Sequence, residues 1–131
     1  MMTVVCTKAG EERETLEVLV ADDEPLIRDS VAEILRTRGH RVETVGSAEE
    51  ALSSARVRMP DVVIVDWRMP GGGGRVVEGL LADGAFQGRI FLLTGSITGD
   101  EEAVLRDGVE RIGKPFSYLG LVARVEGREE G

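Results

Sequence analysis

Apolar residues in this chain gather in short runs, separated by stretches in which they recur at helical spacing. Runs rich in Val, Ile and Leu fit strands buried on both faces. Their alternation with amphipathic segments fits strand-helix-strand units around a parallel sheet. Strands are expected at 16–21 (LEVLVA), 41–45 (RVETV), 62–66 (VVIVD), 89–94 (RIFLLT) and 109–112 (VERI).

The segments between them carry helix signals. Pro25 suits a first-turn position ahead of Ile27, Val31, Ile34 and Leu35, and Gly39 is placed to end that helix in a left-handed conformation. Ser47 and Glu50 have capping-box spacing at the head of a second helix, which Pro60 stops near Met59. Residues 74–81 supply a third helix and 100–106 a fourth. Tyr118, Leu121, Val122 and Val125 share one face of a fifth. Residues 1–15, with the polar run KAGEERET, are expected as a flexible lead-in, 16–126 as the folded domain and 127–131 as a C-terminal tail.

Composition narrows the function. With 131 residues, 42% of them hydrophobic, the chain can close one core. A net charge of -8, from 24 acids against 16 bases, repels nucleic acid and anionic lipid, so direct DNA binding is not expected. Cys6 has no partner in the chain and reads as a reduced thiol. No run approaches the roughly 18 apolar residues of a membrane span, and the opening MMTVVCTKAG is too short an apolar stretch for a secretory signal. A cytoplasmic location is expected.

The polar residues that matter stand at strand ends. Asp22 and Asp23 follow the first strand, Asp66 ends the third, Thr94 ends the fourth and Lys114 follows the fifth. In an open parallel sheet, ligands bind beyond the carboxyl ends of the strands where strand order reverses. With the order 2-1-3-4-5, the first and third strands adjoin and their acids meet. Two carboxylates about 4 Å apart repel by roughly 4 kcal/mol at an effective dielectric near 20. Lys114 offsets part of that, and a divalent cation offsets more; carboxylates that leave room for waters and a phosphoryl oxygen suit Mg²⁺. Aspartate can attack phosphorus, with positioning and charge neutralisation lowering the barrier. The backbone carbonyl of Arg68 can add a neutral metal ligand. Residues 71–74, four glycines, either let the turn pass close to the site or form a plain flexible loop. Singly, these acids read as helix caps, Lys114 as a surface lysine and Thr94 as a strand-end residue; only the ordered set points to a phosphate site.

The motifs VADDEP, VDWRMPG, LLTGS and GKPF, in this order over residues 16–125, resemble the receiver domain of bacterial two-component signalling, including the type found in hybrid histidine kinases. The resemblance implies a flavodoxin-like, doubly wound five-stranded parallel sheet of order 2-1-3-4-5 with helices on both faces. It also implies that Asp66 accepts a phosphoryl group from a sensor histidine kinase or a histidine phosphotransfer protein. Mg²⁺ would be held by Asp22, Asp23, Asp66 and the Arg68 carbonyl, with Thr94 and Lys114 on the phosphoryl oxygens. A cis peptide is implied between Lys114 and Pro115.

Such a domain is a regulatory phosphoacceptor rather than an enzyme, at most taking phosphoryl from small donors and losing it again. No output segment follows the last helix, so a downstream protein is expected to read the fourth helix, fifth strand and fifth helix. Two rivals stand beside this reading: a degenerate receiver that binds partners without phosphorylation, and a Mg²⁺-dependent aspartyl phosphohydrolase. His40 is expected to be a solvated turn residue and not a phosphoryl donor. One departure from the family is Arg111, where members usually carry Tyr or Phe. An arginine does not bury as a ring does without a partner for its charge. Activation would then run through Thr94 and loop 95–99 alone, or Arg111 would sit in a partner interface.

Overall fold

The computed structural model describes residues 3–6, 12–95, 104–106 and 108–127. In chain order its elements are β1 (Thr3–Cys6), β2 (Glu12–Thr15), β3 (Glu17–Ala21), α1 (Pro25–Thr37), β4 (Arg41–Val45), α2 (Ala48–Arg58), β5 (Val62–Asp66), α3 (Gly73–Ala82), β6 (Arg89–Thr94), β7 (Val109–Gly113) and α4 (Tyr118–Val125). The five expected strands form one sheet in the order β4-β3-β5-β6-β7, with every neighbouring pair parallel. Numbered from β3 onward this is 2-1-3-4-5, the doubly wound flavodoxin-like arrangement.

Strand character explains the layers. All residues of β5 are buried, because the strand has neighbours on both edges and helices on both faces. Alternate residues feed two cores. Leu19, Val63, Val65 and Leu92 pack with Ala51 of α2 and Val76, Val77 and Leu80 of α3. Val18, Val20, Ile64, Phe91 and Leu93 pack with Val31 and Leu35 of α1 and Leu121, Val122 and Val125 of α4. Each such side chain contributes about 1.5–3 kcal/mol when fully buried, so the sheet is held rigidly from both sides.

The expected helix signals appear in the geometry. Pro25 opens α1, and Gly39 has φ 94° just beyond it. Ser47 Oγ accepts from the Glu50 N–H at 3.2 Å, while Glu50 Oε1 accepts from the Gly46 N–H at 3.0 Å. α2 ends with Met59 in the left-handed region, directly before Pro60. Ser117 caps α4 by accepting from the Gly120 N–H at 3.0 Å.

Three expectations are not matched among the described residues. The lead-in 1–15 contains β1 and β2, which pair antiparallel from Thr3 opposite Thr15 to Cys6 opposite Glu12; the β-branched run Thr3, Val4 and Val5 of β1 favours extended chain, and β2, with the sequence ERET, forms as its partner. The helix expected at 100–106 falls largely outside the described residues, and Val104 to Arg106 form a turn and irregular chain. Loop positions 96–99 and tail positions 128–131 also lie outside them.

The third is His40, expected in solvent but 4% exposed. Its Nδ1 accepts from the Leu16 N–H at 3.1 Å, which leaves the proton on Nε2, 2.7 Å from Glu126 Oε2. Arg38 donates to both oxygens of the same carboxylate at 2.8 and 2.9 Å. The cluster joins the start of β3 and the entry to β4 to the C-terminal end of α4, and full pairing is what permits burial. His40→Ala strands the Leu16 amide and part of Glu126, and is expected to cost about 2–3 kcal/mol. A urea midpoint equal to that of the parent chain would show the cluster to be ornamental to stability.

Candidate functional site

The chain enters the sheet at β3, crosses to β4 on one side and returns to β5 on the other, so a crevice opens where β3 and β5 end. Asp22 continues from β3 and Asp66 is the last residue of β5. One carboxylate oxygen from each of Asp22, Asp23 and Asp66 lies within 4.8 Å of the others. Asp22 is fully buried, Asp66 nearly so and Asp23 exposed.

Partners fix these acids. Asp22 Oδ1 accepts from the Glu24 N–H at 3.0 Å, whereas its buried Oδ2 has no hydrogen-bond partner. Lys114, delivered by the end of β7, places Nζ 2.6 Å from Asp66 Oδ1 and 3.8 Å from Asp22 Oδ2. Asp66 Oδ2 accepts from the Arg68 N–H at 3.1 Å. Both oxygens of Asp66 are therefore held and its plane is set. The Lys114–Pro115 peptide is cis, as expected.

Burial raises the carboxyl pKa of both Asp22 and Asp66 above the usual range. For Asp22 the charge of Asp66 adds to this; for Asp66 the lysine and the Arg68 amide pull the other way without prevailing. Burial alone would lower Lys114, but its bond to Asp66 and the charges of Asp66, Asp22 and Glu24 outweigh that, and its pKa rises. The cluster is thus an acid-rich, partly dry site with one cation shared between two acids.

A cleft of about 290 Å³ opens over it, lined by Asp66, Trp67, Arg68, Thr94 and Lys114 among others. Thr94 ends β6, buried, with its main chain in register with Gly113 of β7. The expected site residues Asp22, Asp23, Asp66, Arg68, Thr94 and Lys114 thus lie at one end of the sheet. Glu24 also lines this cleft; it follows the acid pair directly, a position that by sequence reads only as the approach to Pro25. A larger groove of about 620 Å³ lies between β7 and α4, but its charged residues are already engaged. There Arg124 pairs with Glu110, and Arg89 donates to the carbonyls of Arg124 and Val125 at the end of α4. Beside the smaller cleft, by contrast, Asp22 Oδ2 is unbonded, 3.8 Å from Lys114 Nζ.

The glycine run is tied to the site. A Cβ on Gly73 would fall 2.3 Å from the Asp66 carbonyl oxygen and 2.8 Å from Trp67 Cα, and one on Gly71, at φ 89°, 2.7 Å from Ala48 Cβ. Close backbone approach, rather than looseness, is what these positions require.

Comparison with known proteins agrees with this geometry. The family profile described as response regulator receiver domain matches residues 18–126. The phosphate regulon transcriptional regulatory protein PhoB of Klebsiella pneumoniae is 32% identical over 114 residues, covering 83% of this chain and 49% of that protein. The chain thus spans about half the length of the curated relatives it matches. The chemotaxis protein CheY4 of Vibrio cholerae superposes with a TM-score of 0.77 at 27% identity, over 88% of this chain and 99% of that one. The receiver domain of the sensor histidine kinase PA1611 from Pseudomonas aeruginosa, solved with a magnesium ion in its active-site cleft, gives 0.75 at 28% identity, over 86% and 98%. The matched profile spans nearly the whole sheet and its helices, and the chain belongs to the response regulator receiver domain family of two-component signalling.

Proposed function

We propose that this receiver is a phosphoacceptor switch in which Asp66 takes a phosphoryl group from a histidine on a partner kinase or histidine phosphotransfer protein. The observation that carries it is the meeting of three carboxylates and one ammonium around a cleft, with a buried Asp22 oxygen left unbonded. That oxygen, with Asp23, Asp66 and the Arg68 carbonyl, fits an oxygen-loving divalent cation, and the magnesium in the PA1611 receiver supports Mg²⁺. When bound, Mg²⁺ neutralises charge on the transferring phosphoryl group.

The chain's own residues do the rest. Asp66 presents a carboxylate oxygen to phosphorus; a bond from that oxygen forms as the donor's P–N bond breaks, and the electron pair leaves with the donor's ring nitrogen. The Arg68 amide and Lys114 set the angle of attack, and Lys114 with the Thr94 hydroxyl receives the phosphoryl oxygens. Loading adds about two negative charges at Asp66, enough to bias a two-state loop by a few kcal/mol. Output then passes to another protein by contact, and self-dephosphorylation resets the site. A cytoplasmic setting suits this; among the described residues no helix is long and apolar enough to cross a membrane.

Incubation with Mg²⁺ and acetyl phosphate, read by intact mass, tests the reading. One phosphoryl adduct, not formed when Mg²⁺ is chelated beforehand and mapped to Asp66 after reductive trapping, is expected. Absence of any adduct would leave a phosphorylation-independent interaction module, and sustained turnover of a phosphoester would leave a phosphohydrolase.

A further inference from the structure

Arg111 stands in the middle of β7, opposite Leu92, and is partly buried. Strand alternation puts it on the same sheet face as Gly113, two residues on, and Gly113 lies opposite Thr94. Its two terminal guanidinium nitrogens lie 3.8 and 4.0 Å from where a Cβ on Gly113 would be. The side chain therefore runs up the strand toward the carboxyl end of the sheet, reaching the level of Thr94, and Gly113 leaves that path open.

This cation is unspent. Arg111 Nε is buried without a hydrogen-bond partner, and among the described residues the side chain has no ion-pair partner. Its neighbours differ: Lys114 holds Asp66, Arg124 pairs with Glu110, Arg106 with Glu78, and Arg89 donates to α4 carbonyls and lies over the Phe91 ring. A buried donor on a charged group is costly to leave unpaired, so a state that supplies an anion relieves it. Loading of Asp66 supplies one, with about two charges and three acceptor oxygens. Lys114 alone is poorly matched to that load, since its single ammonium is already shared between Asp66 and Asp22. A guanidinium fork suits phosphoryl oxygens.

We propose that Arg111 is a second phosphoryl-binding cation, resting against Gly113 in the unloaded chain and moving past Thr94 onto the phosphoryl oxygens once Asp66 is loaded. The proposal rests on the phosphoacceptor reading above. It differs from a partner-interface role, which would need the guanidinium stem in solvent, whereas its Nε is buried. It also makes the position an electrostatic sensor rather than a passive filler.

The chain's one tryptophan, Trp67, lines the cleft and reports on it directly. Its emission is to be titrated first with Mg²⁺, then with beryllofluoride, a phosphoryl mimic, at saturating Mg²⁺, in the parent chain and in Arg111→Ala, Arg111→Gln and Arg111→Lys. Half-saturation by beryllofluoride is expected to rise about tenfold or more in the Ala and Gln variants, and to recover largely in the Lys variant. Half-saturation by Mg²⁺ should stay within about threefold throughout, because Arg111 touches the phosphoryl group and not the metal. Equal beryllofluoride affinity in parent and Gln variant overturns the proposal, as does an equal loss of Mg²⁺ and beryllofluoride affinity. If Arg111→Ala fails to fold, the Gln and Lys pair decides alone. Failure of the parent chain itself to bind beryllofluoride would instead strike the phosphoacceptor reading.

Discussion

Asp66→Asn is expected to abolish the phosphoryl adduct, cutting its rate of formation by at least about a thousandfold, as removal of a nucleophile does elsewhere. An amide oxygen has little tendency to attack phosphorus, yet Asn fills the same volume and its oxygen can still accept from the Arg68 N–H. The fold should persist, so far-UV circular dichroism and cooperative unfolding separate lost chemistry from lost structure. The choice of Asp66 among three acids is structural. Asp22 is fully enclosed, with one oxygen committed to the Glu24 amide, so no donor reaches it. Asp23 is exposed, and among the described residues no hydrogen bond holds its carboxylate for in-line attack. Asp66 alone both lines the cleft and has each oxygen oriented. An adduct that survives in Asp66→Asn and maps to Asp23 would overturn that assignment.

The sheet was legible because its signals are local or periodic. The continuous apolar run of β5 follows from burial on both faces, and the ends of α1 and α2 from Pro25, Gly39, Ser47 and Pro60. The site was legible for a related reason: in a parallel sheet all carboxyl ends share one side, so residues at strand ends converge without long-range information. What failed to show depends on partners distant in sequence. His40 looks like a turn residue until Leu16 and Glu126, 24 and 86 positions away, provide its partners. The glycine run read equally as slack, and only the approach of Gly73 to the Asp66 carbonyl shows it to be tight. β1 and β2 are too short for a period to register, and each needs the other to form. Arg111 stood out as a departure, but its unpaired posture beside Gly113 depends on the register of β6 and β7.

Asp22→Asn is expected to act in opposite directions on metal binding and on the metal-free fold. It removes a charged ligand from the acid cluster, and Mg²⁺ affinity should fall about a hundredfold, the upper end of what loss of a supporting group costs and a fair floor for a ligand. It also removes a buried charge that faces Asp66, while the Asn oxygen keeps the Glu24 amide bond. The metal-free variant should therefore be more stable by about 1 kcal/mol, a rise in Tm of roughly 3–6 °C for a domain of this size. Mg²⁺ at one hundred times its dissociation constant adds about 2.7 kcal/mol to the parent chain, so the order of melting should invert as Mg²⁺ is added. The pH dependence has the same origin. Folding raises the pKa of Asp22 and Asp66, so at mildly acid pH the native state holds more protons than the unfolded one. Stability of the metal-free parent then rises as pH falls from neutral toward the carboxylate range, and the slope is shallower in Asp22→Asn. Lys114, also raised, contributes stability that is lost only as pH climbs through its folded value, well away from this window. A variant that melts below the parent in excess chelator would mean that Asp22, through Lys114 and the Glu24 amide, stabilises the empty site more than its repulsion with Asp66 strains it.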